Sequence, residues 1–185
     1  MKKIILVLAI ITLIVLGCKN TDNVGYKTKI GLSQYPYLFL ENNTFNATIV
    51  VEDDRYTSDD ELVIVQKFVE QLQKKYTLKP YTLIQYSDLP GLYTQNTMYI
   101  GTCNTVVHNR FVNVFNDCLS LEKDTAIMRF IQQDNITIIS VVGKDYKNTQ
   151  DALSVLLNYN KYNLSGNEVQ VKYNENNEIF TRITG

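Results

Sequence analysis

Two kinds of pattern alternate along this chain, short β-branched apolar runs and longer stretches whose apolar residues return every three or four positions, and glycine marks several of the junctions. The clearest junction lies in residues 136–159, ITIISVVGKDYKNTQDALSVLLNY. Residues 136–142 are β-branched and almost wholly apolar, the pattern of a strand covered on both faces. Gly143 ends the run. Asp145 or Asn148 can cap the orphan N–H groups of a following helix, and Ala152, Val155, Leu156 and Tyr159 recur at helical spacing to give it one buried face. A strand feeding a helix through a short glycine turn is the repeat unit of α/β folds.

The same grammar extends in both directions. Residues 45–51 predict a first core strand ending in Ile49, Val50 and Val51. Ser58-Asp59-Asp60-Glu61 then reads as a helix start: the serine accepts from the N–H three residues on, Glu61 reaches back, and the acids face the positive end of the helix dipole. Leu62, Val65, Phe68, Val69, Leu72 and Tyr76 form its apolar stripe, which stops by Lys79-Pro80. Short strands are predicted over 81–85 and 98–101, and Asn104 can cap a third helix through Val106, Val107 and Phe111 that ends by Asn116. Residues 125–133 alternate apolar and polar and meet residue 136 through Asp134-Asn135, which predicts an antiparallel hairpin. Residues 168–173, EVQVKY, alternate as a last strand. Ahead of the first strand, residues 31–40, GLSQYPYLFL, predict an extended strap, with Pro36 biasing Tyr35 away from helix and Leu32, Tyr37, Phe39 and Leu40 offered to the domain. The expected fold class is α/β: a three-layer sandwich with a mixed, mostly parallel sheet of about six strands and three helices, including one β-hairpin.

The N-terminus follows another pattern. Lys2 and Lys3 precede an apolar run over 4–16 of signal-peptide length, and Val15-Leu16-Gly17-Cys18 has the form of a lipoprotein cleavage and lipidation site. An uncleaved anchor is the alternative. Either way the chain is expected at the outer face of a membrane, with residues 1–17 as signal peptide, lipidated Cys18 opening a polar tether over 18–30, the folded domain over 31–174 and a polar tail over 175–185. The formal net charge is -1, with both signs interspersed, so nothing predicts a nucleic-acid partner.

Several landmarks occur in a fixed order. They are LSQYPYLF (32–39), NATIVV (46–51) followed by TSDD (57–60), IGTCN (100–104), a second cysteine at Cys118, VVG (141–143) and the closing NYNKYNLSGNEVQV (158–171). Their order and spacing resemble the α/β domain of archaeal surface-layer proteins and related secreted proteins, over roughly residues 31–173. The resemblance implies an extracellular structural domain that assembles into, or attaches to, the protein coat of a cell. The chain departs from the family at Glu52, where a glycine is usual, and at Gly101-Thr102, where a double glycine with proline is usual.

Candidate chemistry is sparse. With Cys18 lipidated, Cys103 and Cys118 remain as an even pair in an oxidising compartment, where a disulfide is favoured; two buried thiols are the alternative. Glu52, Asp53 and Asp54 follow a strand at the sheet edge where α/β folds bind ligands, and supply oxygens of the kind calcium takes, though without EF-hand spacing. No other cofactor is expected. His108, the single histidine, lacks a Cys/His cluster, and no serine sits in a G-x-S-x-G elbow, so neither a zinc site nor a serine hydrolase is indicated. Glycosylation sequons begin at Asn42, Asn46, Asn135 and Asn163; Asn135 and Asn163 lie in predicted turns, and Asn46 enters a strand. The functional expectation is a non-enzymatic, lipid-anchored envelope protein contacting other coat proteins or itself. The alternative is a surface-tethered ligand-binding module whose cleft runs along 52–55, 101–104 and 143–145.

Overall fold

The computed structural model describes residues 31–51, 58–79, 83–85, 95–103, 121–133, 135–173, 176 and 178–184. Within them the chain forms β1 (Leu40–Glu41), β2 (Thr44–Phe45), β3 (Thr48–Val51), α1 (Asp59–Gln73), β4 (Thr77–Leu78), β5 (Leu83–Gln85), β6 (Thr97–Thr102), β7 (Thr125–Gln133), β8 (Ile136–Gly143), α2 (Tyr146–Leu157), β9 (Glu168–Tyr173) and β10 (Ile179–Ile183). Seven strands make the main sheet in the order β10-β9-β7-β8-β6-β3-β5, and β1, β2 and β4 make a small second sheet.

The three-layer, mostly parallel sandwich of about six strands and three helices is therefore corrected. The described residues hold ten strands and two α-helices. Three junctions of the main sheet are antiparallel, with ladders of eight, five and five residue pairs, against six, three and three in the parallel junctions. The physical reason is connection length. A parallel partner needs a crossover of about a dozen residues or more, whereas only two residues separate β7 from β8 and five separate β9 from β10 in sequence, leaving only antiparallel pairing open to them. The crossover β8-α2-β9 does keep its two strands pointing the same way, but β7 lies between them. The third helix expected over 104–116 lies outside the described residues.

Both helices lie on one face of the main sheet. Val65, Phe68 and Leu72 of α1 and Ala152, Val155 and Leu156 of α2 share a core with Ile49, Met98, Val141, Met128 and Val169 of the strands. Each helix starts at a side-chain cap: Ser58 Oγ accepts from the Glu61 N–H at 3.3 Å, and Asp145 Oδ1 accepts from the Asn148 N–H at 3.0 Å, which assigns the second cap to Asp145. The sheet's other face is also buried in its middle, at Val50, Tyr99, Ile138 and Val142.

The strap is not extended. Two 3-10 turns, Leu32–Gln34 and Tyr37–Phe39, are joined at a cis Tyr35–Pro36 peptide. Side chains three and four apart therefore share a side, where an extended strap would have matched every second residue. Leu32, Tyr35 and Phe39 are buried, while Tyr37, expected inward, is 68% exposed. Tyr35 packs edge-on against Phe39 and Tyr159, and Phe39 edge-on against Phe45. Burial raises the Tyr35 phenol well above its ordinary range, with Tyr76 and Tyr159 adding to the effect. The strap is tied down where the Leu32 N–H donates to the Gly166 carbonyl at 2.9 Å. Gly166 has φ 77, and a side chain at Gly31 would meet its carbonyl oxygen at 2.6 Å.

The polar tail also proves to be partly structural. Ile179–Ile183 forms β10, paired antiparallel along β9 from Ile179↔Tyr173 to Ile183↔Val169.

Candidate functional site

In open α/β sheets, ligands usually sit beyond the carboxyl ends of the parallel strands. Here that edge is formed by Thr102 at the end of β6, Gly143 at the end of β8 and the start of α2. The Thr149 side chain fills the notch between the two strands. Its hydroxyl accepts from the Gly143 N–H at 3.0 Å and lies 2.9 Å from the Gly101 carbonyl and 3.1 Å from that of Asp145, so its single proton is offered to backbone oxygens on β6 and at the helix cap. The contact explains the glycine. A Cβ at Gly143 would stand 2.3 Å from the Thr149 nitrogen and 2.5 Å from its Oγ1. Two segments of the expected cleft, 101–103 and 143–145, are thus joined through a filled notch; 52–55 and Asn104 lie outside the described residues, as do Glu52, Asp53 and Asp54. Among the described residues no group of three metal-ligating side chains comes together.

Beside the notch, the Tyr173 hydroxyl donates to Asp151 Oδ2 at 2.6 Å, tying the end of β9 to α2, and the Lys147 ammonium sits 5.1 Å from the Tyr173 ring centre. Desolvation, then the bond and charge of Asp151, push Tyr173 up to about 12. Desolvation also raises Asp151, against the opposing pull of Tyr173 and Lys147. Asn148 is buried at the first turn of α2, and its Oδ1 has no hydrogen-bond partner among the described residues.

A shallow pocket of about 230 Å³ opens on the sheet face away from the helices, over β7 and β9. Ile127 and Leu121 form its apolar part, and Thr125, Gln170, Glu122, Glu168 and Lys172 its polar part. Its charges are paired. Lys172 Nζ meets Glu122 Oε2 at 2.5 Å, and Glu168 Oε2 meets Arg129 Nε at 2.5 Å. The Lys172 contact holds the Glu122 carboxyl below the usual carboxylate range.

The comparisons with known proteins leave this arrangement to speak for itself. No family model matches the chain, and no curated protein does. Among solved structures it is similar to one described as "Structure of CpGH84D", at 13% identity and a TM-score of 0.38 over 66% of this chain and 19% of that one. A likeness that slight carries no argument about function.

The remaining predicted residues are placed as follows. Cys103 is 4% exposed, and Cys118, Cys18 and His108 lie outside the described residues. Asn42, Asn135 and Asn163 are exposed; Asn46 is half-buried, its Nδ2 donating to Glu41 Oε2 at 3.0 Å and its Oδ1 accepting from Lys79. Sequence reasoning missed Thr149, the Tyr173–Asp151 pair and the pocket. Thr149 carried a faint signal, a hydroxyl six residues after the glycine that ends a buried strand. For the pocket the signal was Arg129 set between Met128 and Phe130 together with the polar positions of EVQVKY, and only the register shows that Arg129 faces Glu168.

Proposed function

We propose that this chain is a non-enzymatic cell-surface protein, anchored by lipid at Cys18, that acts by contact with other envelope proteins in the manner its resemblance to surface-layer domains implies. The observation that carries the reading is the filled notch. Among the described residues, the Thr149 side chain lies between the carboxyl ends of β6 and β8 and satisfies the backbone of both strands. No nucleophile, base and orienting group converge there among the described residues, and the main apolar exposure lies at surface positions such as Tyr37, Tyr146, Phe180 and Ile183. The test is fractionation of cells expressing the full chain with a labelled fatty acid. The label and the membrane fraction should both follow wild type, and Cys18→Ala should lose the label; a chain recovered from soluble cytosol would overturn the reading.

The pocket over β7 and β9 favours a second reading, a tethered module binding a small polar solute. Its polar rim and Ile127 floor fit such a solute, although each of its charges already has a partner. Saturable uptake of a solute by the full chain, lost in Gln170→Ala, would promote this reading over the first.

A further inference from the structure

We infer that β10 is a self-association edge, by which two copies of this chain join their main sheets through antiparallel pairing about a two-fold axis at Thr181. This deepens the proposed contact role and rests on it only for the setting in which the copies meet.

Among the described residues the edge is open, and its phase is known. Among the described residues β10 is the last strand of the main sheet, with β9 as its only neighbour. The Thr184 N–H donates to the Glu168 carbonyl at 3.1 Å. Residues 184 and 168 are opposite each other in the β9–β10 register, so they form a hydrogen-bonded pair, and by alternation so do Arg182 with Gln170 and Phe180 with Lys172. The N–H and C=O groups of Ile179, Thr181 and Ile183 therefore point away from the sheet. A native edge is usually protected by proline, lysine or a bulge; β10 reads IFTRI and carries one charge. Two of the five exposed large apolar side chains among the described residues, Phe180 at 37% and Ile183 at 44%, lie on this strand.

The strand is complementary to itself in one register. A two-fold axis at Thr181 sets Thr181 opposite its own copy, Ile179 opposite the second copy's Ile183, and Phe180 opposite the second copy's Arg182. All three outward N–H groups then meet outward carbonyls. On one sheet face isoleucine meets isoleucine, and on the other each guanidinium meets an aromatic ring, with no like charges directly opposed. Isologous pairing of this kind closes after two copies. The contact is smaller than the roughly 1,000 Å² that a stable soluble interface needs. It should therefore form at the high effective concentration of a shared membrane and dissociate in dilute detergent.

The test is a cysteine scan of the full chain in membranes, oxidised briefly and read as crosslinked dimer above the wild-type background. Residues facing each other in a hydrogen-bonded antiparallel pair have Cα atoms about 5.5 Å apart, within the disulfide range of about 4.4–6.8 Å. Thr181→Cys should crosslink to itself at least tenfold more than Glu178→Cys, whose two copies would stand roughly 20 Å apart at about 3.4 Å per residue. Ile179→Cys and Ile183→Cys should crosslink when mixed and not singly, which guards against a fold lost in any one variant. Equal yields at Thr181 and Glu178, or none at Thr181, would overturn the pairing. Crosslinks only to other envelope proteins would leave the contact role standing and reject self-pairing. A Thr181 self-crosslink in a chain that fractionates to the cytosol would do the reverse.

Discussion

In β3, β6 and β8, three of the four strands that pair in parallel in the main sheet, every residue but Ile136 is buried; in β9 only Val169 and Val171 are, and in β10 none. The same sheet thus contains a region covered on both faces and a region covered on one, grading to an open edge. The difference follows the connections. The α2 crossover that lets β8 and β9 run the same way also packs the helix over the sheet's middle, while the five residues between β9 and β10 are too few to carry a covering helix. The covered region holds the fully buried strand residues and the filled notch; the other holds, among the described residues, the pocket and the open edge.

The largest effect should come from the covered region. Ile139, fully buried on β8, should cost about 2–5 kcal/mol when changed to alanine, measured by denaturant unfolding. Gly143→Ala, which drives a Cβ into Thr149, should cost about 1–3 kcal/mol and displace the start of α2. Thr149→Val keeps the shape but leaves the buried Gly143 N–H without its acceptor, at about 1–3 kcal/mol, and Thr149→Ser should recover most of the loss. Recovery by valine instead would mean that the notch is held by packing alone.

At the boundary between the two regions, the Tyr173–Asp151 bond should respond to alkali. The folded-state value for Tyr173, about 12, lies above the ordinary 10.0, so the stability it contributes is complete below about pH 10 and disappears as the pH rises through about 12. Stability measured across that window should fall, and Tyr173→Phe should flatten part of the fall. The smallest effect should be at the edge. Ile183→Lys should leave stability within about 0.5 kcal/mol of wild type, because the side chain is exposed, while reducing self-crosslinking through Thr181→Cys. A large loss of stability there would erase the contrast between the two regions.

The covered region was the more legible in the sequence because its signals are local. Ile136 to Val142 are apolar without interruption, Gly143 stops them, and Asp145 caps the helix within reach of its own N–H partner. Residues 125–133 alternated and met a turn, so both strands of the hairpin could be read with their ends, β7 and β8. The strap was misread because its aromatic residues fit either a period of two or one of three to four, and only packing around Tyr35, Phe39 and Tyr159 chose the turns. β10 was missed because Ile179-Phe180-Thr181-Arg182-Ile183 does not alternate apolar with polar, so among asparagines and glutamates it reads as tail, and only its pairing along β9 makes it a strand.

What the sequence determined by itself was therefore the set of elements whose hydrophobic period, cap and stop lie within about fifteen contiguous residues. That includes both helix starts, the hairpin strands and the β8-glycine-helix unit. Only the tertiary structure decided the strand order, the balance of parallel and antiparallel pairing, the Thr149 plug between β6 and β8, the Arg129–Glu168 pair and the exposed edge at β10. These depend on which distant segments become neighbours. A side chain's partner across a sheet is set by register, and register is a property of the whole assembled core, which no single stretch of chain records.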